Sequence, residues 1–129
     1  MIELSPRILI VEDDVEEIEL LIKFLTRSYR CEIDVVCELE EVKRWLEKKD
    51  YDFVITDAFV REFSATEVAK AVREGKSSPI IYLFSEDENP ELIKRFFEDG
   101  VDIYFRKGFK EMENLIISIK NIFSKLKGR

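Results

Sequence analysis

Residues 7–14 read Arg7-Ile8-Leu9-Ile10-Val11-Glu12-Asp13-Asp14, an apolar run that ends abruptly in three acids. Four consecutive aliphatic residues with no polar alternation mark a strand buried on both faces, as in a parallel sheet covered by helices. Beyond the acids, Val15, Ile18, Leu21, Ile22 and Leu25 recur at helical spacing, which predicts a helix over 14–27. Asp14 can cap its start, and Glu17, three residues on, completes the pattern of a capping box.

The same strand-then-helix unit repeats outward from this stretch. Residues 31–36 predict a second strand and 39–48 a helix with Leu39, Val42, Trp45 and Leu46 on its inner face. Residues 52–56 carry the buried run Phe53-Val54-Ile55, and Ser64-Ala65-Thr66-Glu67 has the form of a capping box for a helix closing at Gly75. A fourth strand over 79–84 is followed by Asn89-Pro90, an N-cap with proline at the first helical position, and Gly100 closes that helix. A short fifth strand over 103–105 precedes a helix over 110–127, whose apolar stripe runs through Met112, Leu115, Ile116, Ile119, Ile122, Phe123 and Leu126. Five strands alternating with five helices require right-handed crossovers between parallel strands, hence an α/β fold with helices on both faces of one sheet.

Composition narrows the function. At 129 residues and 46% hydrophobic, the chain supports one core and reads as a single domain over 1–129. The formal net charge of -7 disfavours nucleic-acid binding through a basic surface. The absence of histidine excludes imidazole metal sites and histidine-based triads. Cys31 and Cys37 lie along one predicted strand, roughly 20 Å apart at about 3.3 Å per residue. A disulfide needs Cα atoms within about 7 Å, so free thiols in a reducing compartment are expected. No apolar run approaches the roughly 18 residues of a membrane span, and no signal-peptide pattern opens the chain. A cytoplasmic protein without membrane contact is the expectation.

In open parallel sheets the working site lies beyond the carboxyl ends of the strands. There the sequence delivers Glu12, Asp13 and Asp14 after strand one, Asp57 after strand three, Ser85 after strand four and Lys107 after strand five. Asp14, Glu16 and Glu17 read as helix-start residues that favour the positive helix terminus. Asp57 has no such reading, because the next capping box begins only at Ser64. Two carboxylates about 4 Å apart repel by on the order of 4 kcal/mol at an effective dielectric near 20, so a divalent cation and Lys107 are the expected compensators. Carboxylates without a caging loop suit Mg2+, whereas zinc would call for thiolate or imidazole.

With these residues in place, the chain resembles a response regulator receiver domain over essentially its whole length. The resemblance is carried by Ile8-Leu9-Ile10-Val11-Glu12-Asp13-Asp14, Tyr51-Asp52-Phe53-Val54-Ile55-Thr56-Asp57 and Tyr104-Phe105-Arg106-Lys107. It implies a flavodoxin-like (βα)5 three-layer sandwich with parallel sheet order 2-1-3-4-5. It further implies that Glu12, Asp13 and Asp57 bind Mg2+, that Asp57 is the phosphoacceptor nucleophile, and that Lys107 pairs with the phosphoryl group. Tyr104 would report activation on the face formed by helix four, strand five and helix five, which is also the implied surface for a homodimer. The implied partners are a sensor histidine kinase or phosphotransfer protein as donor and an effector protein or missing output domain as receiver of the signal. No enzyme activity of its own is implied.

Three departures bear on switching. The family places Ser or Thr at the end of strand four, where this chain is read as carrying Phe84, with Ser85 next. A phenylalanine there cannot hydrogen-bond a phosphoryl group and would fill the space into which Tyr104 swings. Gly108 follows Lys107 where the family has proline in a cis bond, so another loop path is expected. Arg61 and Ala65 stand where the family shows proline and glycine. These departures keep open a second reading, an atypical pseudo-receiver acting as a phosphorylation-independent interaction module. A flavin carrier is disfavoured, because Glu12-Asp13-Asp14 would repel a phosphate. A hydrolase with a strand-end aspartate is disfavoured because Phe59 stands where a second acid is needed.

Overall fold

The computed structural model describes residues 4–127. Strand β1 (Arg7–Val11) leads through Asp14 into helix α1 (Val15–Ser28), followed by β2 (Glu32–Val36), α2 (Leu39–Lys48) and β3 (Phe53–Thr56). A short hairpin of β4 (Phe59–Val60) and β5 (Phe63–Ser64) precedes α3 (Ala65–Glu74). The chain ends with β6 (Ile80–Ser85), α4 (Pro90–Glu98), β7 (Ile103–Arg106) and α5 (Phe109–Lys127). The main sheet has the order β2-β1-β3-β6-β7 with all neighbours parallel, which is the expected 2-1-3-4-5 arrangement once the hairpin strands are set aside.

The three interior strands bury nearly every residue, whereas β2 and β7, each with a neighbouring strand on one side only, are half-exposed. Alternation along the strands splits the core into two layers. Leu9, Val11, Val54, Ile81 and Leu83 pack on one face with Val42 of α2, Val68 and Val72 of α3, and Phe96 of α4. Ile8, Ile10, Phe53, Ile55, Tyr82 and Phe84 pack on the other with Leu21 and Leu25 of α1 and Leu115, Ile119 and Phe123 of α5. Phe97 is exposed while its neighbour Phe96 is buried, since two adjacent helical positions cannot share one inner face. Among the described residues no helix is long and apolar enough to cross a membrane.

The local signals hold where capping chemistry is explicit. Asn89 Oδ1 accepts from the backbone N–H of Glu91 at 3.0 Å and of Leu92 at 3.3 Å, with Pro90 opening the helix. Gly100 adopts φ 123°, a conformation that residues with a Cβ rarely take, and so ends the same helix. Ser64 N–H donates to Glu67 Oε1 at 3.3 Å at the start of α3.

Three features differ from the sequence expectation. The apolar stripe of α5 stops short of Leu126, which is 46% exposed. The segment after Asp57 forms the β4–β5 hairpin, with Phe59 opposite Ser64 and Val60 opposite Phe63. Its turn holds Arg61 at φ 51°, which a proline ring fixed near −65° cannot adopt, so the arginine goes with the altered path of this loop. Finally, β6 runs one residue further than expected, so that Ser85 and not Phe84 is its last residue.

Candidate functional site

Backbone pairing gathers the strand-end residues. Glu12 N–H donates to Val36 O at 3.1 Å, Asp57 N–H to Val11 O at 3.2 Å and Lys107 N–H to Ser85 O at 2.9 Å, so the ladders continue one residue beyond each strand. The side chains then converge. Lys107 Nζ donates to Glu12 Oε1 at 2.9 Å, to Asp57 Oδ2 at 2.9 Å and, in a still closer contact, to Glu17 Oε2. Asp57 Oδ1 accepts from the N–H of Ala58 at 2.7 Å. Thus Glu12, Asp57 and Lys107, distant along the chain, meet at the carboxyl edge of the sheet.

The start of α1 explains how Glu17 joins them. Asp14 Oδ1 caps the helix by accepting from Glu17 N–H at 3.2 Å. The reciprocal half of a capping box would have Glu17 reach back to Asp14 N–H. Instead, Glu12 Oε2 accepts from Asp13 N–H at 3.0 Å and Asp14 N–H at 3.3 Å. With that donor satisfied, the Glu17 side chain is released toward Lys107. Glu17 was expected only as a helix-start residue; the residue spacing holds no signal for its second role, since its partner is 90 residues away.

These groups open onto a cleft of about 360 Å³ that is also lined by Asp13, Asp14, Ser85, Glu86 and Asp87, which gives seven carboxyl groups and one ammonium. Burial pushes the Glu12 carboxyl up to about 7 from its usual 4.5; the neighbouring Glu17 and Asp57 add to this, and Lys107 opposes it. Burial alone would lower the Lys107 ammonium, but its contacts with Glu17, Asp57 and Glu12 more than reverse this and hold it above its usual range. Carboxylate oxygens of Glu12, Glu17 and Asp57 lie within 4.8 Å of one another. An all-oxygen, acid-rich donor set that opens to solvent fits a hard cation such as Mg2+. Asp13 is exposed on the cleft wall and lies outside that closest group.

Ser85 and Phe84 point opposite ways. Phe84 packs on the α1/α5 face with Tyr82 and Met112, while Ser85 is buried at the cleft wall, where its Oγ accepts from Asp87 N–H at 3.2 Å. Tyr104 packs on the α2/α3/α4 face with Leu83, and its hydroxyl donates to Asp87 O at 2.5 Å. Phe84 therefore lies across the sheet from Tyr104 and does not fill its path, contrary to expectation; successive residues of a strand face opposite layers, and the one that faces the cleft is Ser85. Gly108 follows Lys107 without a cis bond, since no described peptide bond is cis, and its carbonyl accepts from Met112 N–H at 2.8 Å. The glycine thus leads straight into α5, which begins at Phe109, one residue before the expected start.

The sequence model of the response regulator receiver domain family matches residues 8–120 of this chain. The chain belongs to that family. The receiver domain is 29% identical over 117 residues to the transcriptional regulatory protein SrrA of Staphylococcus aureus, covering 91% of this chain and 47% of that protein. It therefore spans about half the length of the curated relatives it matches. Among solved structures, the receiver domain of a Francisella response regulator superposes with a TM-score of 0.79 at 19% identity, covering 95% of this chain and 99% of the other. The receiver domain of the sensor histidine kinase PA1611 of Pseudomonas aeruginosa, solved with a magnesium ion coordinated in its active-site cleft, superposes with a TM-score of 0.71 at 20% identity over 97% and 99% of the two chains. The fold, the family and a place in two-component signalling are thereby established for this receiver domain.

Proposed function

We propose that this receiver domain accepts a phosphoryl group on Asp57 from the phosphohistidine of a sensor kinase or phosphotransfer protein, with Mg2+ bound in the acid cleft. The observation that carries the reading is Lys107 Nζ 2.9 Å from Asp57 Oδ2, at the floor of an open cleft. An oxygen of Asp57 forms the new bond to phosphorus, the P–N bond to the donor imidazole breaks, and the electron pair leaves on the imidazole, which takes up a proton. Because these 129 residues contain no histidine, the donor phosphohistidine lies outside them, or the donor is a small phosphodonor. The Lys107 ammonium, already beside the acceptor, neutralises charge on the phosphoryl oxygens, and the Ser85 hydroxyl on the same wall can donate to one of them. Glu12, Asp13 and Asp57 are the residues that would hold the ion, with Glu17 near by. When bound, Mg2+ supplies neutralisation of the acceptor and phosphoryl oxygens during in-line transfer.

Ser85 on the cleft wall supports this reading over a phosphorylation-independent module, which rests on a phenylalanine at that place and on Gly108 after the lysine. Output passes by protein contact to an effector, on a separate chain or a further domain, with the α4, β7 and α5 face as the proposed docking and homodimer surface; Phe97 is 41% exposed there. The net charge of -7 argues against direct nucleic-acid contact by this domain. The free thiols of Cys31 and Cys37 support a cytoplasmic setting. The test is treatment with acetyl phosphate, or beryllofluoride as its stable mimic, in the presence of Mg2+. An adduct on the wild type that Asp57→Asn abolishes is expected, and absence of an adduct on the wild type overturns the reading.

A further inference from the structure

A lysine ammonium has three N–H donors, and in this receiver domain all three are engaged by carboxylates, those of Glu12, Asp57 and Glu17. A phosphoryl group on Asp57 uses up one carboxylate oxygen and the charge of that acceptor but brings three oxygens of its own beside Nζ, so the ammonium then faces more acceptors than it has donors and one of those present gives way. The three present acceptors are not equally held. Glu12 is anchored by its second oxygen to the N–H groups of Asp13 and Asp14, and Asp57 by its second oxygen to Ala58 N–H. Glu17 reaches in from the first turn of α1, and its side chain is 31% exposed against 9% for Glu12 and 19% for Asp57. The Glu17 contact is the one that opens into water with least loss, because its carboxylate is the most readily resolvated.

We propose that Glu17 is a positioning residue that occupies the third donor of Lys107 in the unphosphorylated protein, in the place a phosphoryl oxygen takes, and so sets the threshold for modification of Asp57. This rests on the phosphoacceptor reading above and adds a competitor to it. The carboxylate of Glu17 stands in for an anionic phosphoryl oxygen: it has similar charge and acceptor chemistry and is supplied by the chain itself. While Lys107 is held by Glu17, an incoming group has to draw the ammonium away from a charge-assisted partner. A neutral isostere at this position leaves the ammonium free to turn toward the acceptor.

The experiment compares wild type with Glu17→Gln and Glu17→Ala, and with Glu19→Gln as an exposed control on the same helix. Two quantities are measured: half-saturating beryllofluoride at saturating Mg2+, and half-saturating Mg2+ alone, followed by the amide signals of Asp13 and Ala58. The expected result is beryllofluoride binding about tenfold tighter in Glu17→Gln, and at least as much tighter in Glu17→Ala, with Mg2+ binding not weakened and Glu19→Gln like wild type. A merely structural role would not improve the first constant while sparing the second. An unchanged beryllofluoride constant overturns the proposal and leaves the phosphoacceptor reading standing. Weaker Mg2+ and weaker beryllofluoride binding together make Glu17 an ion ligand and likewise overturn it. No adduct in wild type or variants overturns both readings at once, whereas an adduct in the variants alone supports the competitor in its strongest form.

Discussion

At the amino ends of β6 and β7, Arg73 of α3 donates to Asp102 Oδ2 at 2.8 Å, to Gly100 O at 2.7 Å and to Pro79 O at 3.2 Å, and the same Asp102 oxygen accepts from Ile81 N–H at 2.8 Å. One cation meets one carboxylate there, and neutral backbone groups absorb the remaining donors and acceptors. At the carboxyl ends, Lys107 meets three carboxylates with four more around the same cleft. The first cluster is closed: its charges cancel and it pins α3 to the loops that lead into two strands. The second is left with an excess of negative charge in a partly buried place, which costs stability in the absence of a ligand and favours a divalent cation as counter-charge. The difference shows that an ion-pair network becomes a candidate site when its charges fail to balance.

The largest effect expected from breaking this contrast comes from Lys107→Met. It strands Glu12 and Asp57 without their cation, and the loss should reach about 4 kcal/mol in urea unfolding at pH 8 with chelator present. Millimolar Mg2+ should recover much of it; a loss below about 1 kcal/mol would show that the carboxylates tolerate one another without the ammonium.

Next in size is pH. Because the Glu12 carboxyl sits at about 7 in the folded protein and at 4.5 when unperturbed, the native state keeps a proton between these values that the unfolded chain has released. Its stabilising contribution is therefore complete below pH 4.5 and lost as pH rises through 7, by about 3 kcal/mol. Other shifted groups act outside this window. Burial pushes Asp34 up, but the Tyr51 hydroxyl and Lys49 more than reverse it, so the lowered carboxyl gives up its contribution only as pH falls below the usual 3.8. Lys107 is raised, so its contribution persists below its usual 10.5 and is lost only in strong alkali. Urea midpoints in chelator should thus be lower at pH 8 than at pH 5, and a flat profile would contradict the assignment. Mg2+ competes with that proton, so its half-saturating concentration should fall over the same interval.

Smallest is Arg73→Met at the closed end. About 1.5 kcal/mol is expected from the lost charge-assisted bonds. The decrement should be the same with and without Mg2+, and any Mg2+ dependence there would blur the distinction between the two ends.

Much of the architecture was legible because its signals act over a few residues. The continuous apolar run at Ile8-Leu9-Ile10-Val11 announces an interior strand, and Asp14, Asn89-Pro90 and Gly100 bound helices by capping chemistry that needs no distant partner. The strand ends also placed Glu12, Asp57 and Lys107 on one edge of the sheet, since parallel topology leaves no other arrangement. The β4–β5 hairpin was not legible: two-residue strands carry no periodicity, and Arg61 is a residue that seldom takes a left-handed conformation. Nor was the role of Glu17. Its spacing from Asp14 reads as a capping box, and only the discovery that Glu12 serves that donor frees it for Lys107.

Sequence alone therefore determined the class of fold, the order of its elements and the acid character of one edge, because burial pattern and capping depend on near neighbours. Tertiary structure decided that Ser85 rather than Phe84 faces the cleft, since strand alternation turns a single residue of register into opposite sides of the sheet. It likewise decided that Lys107 finds three carboxylates, because the distance between charges from three separate chain segments is set by how five strands align and by where α1 begins.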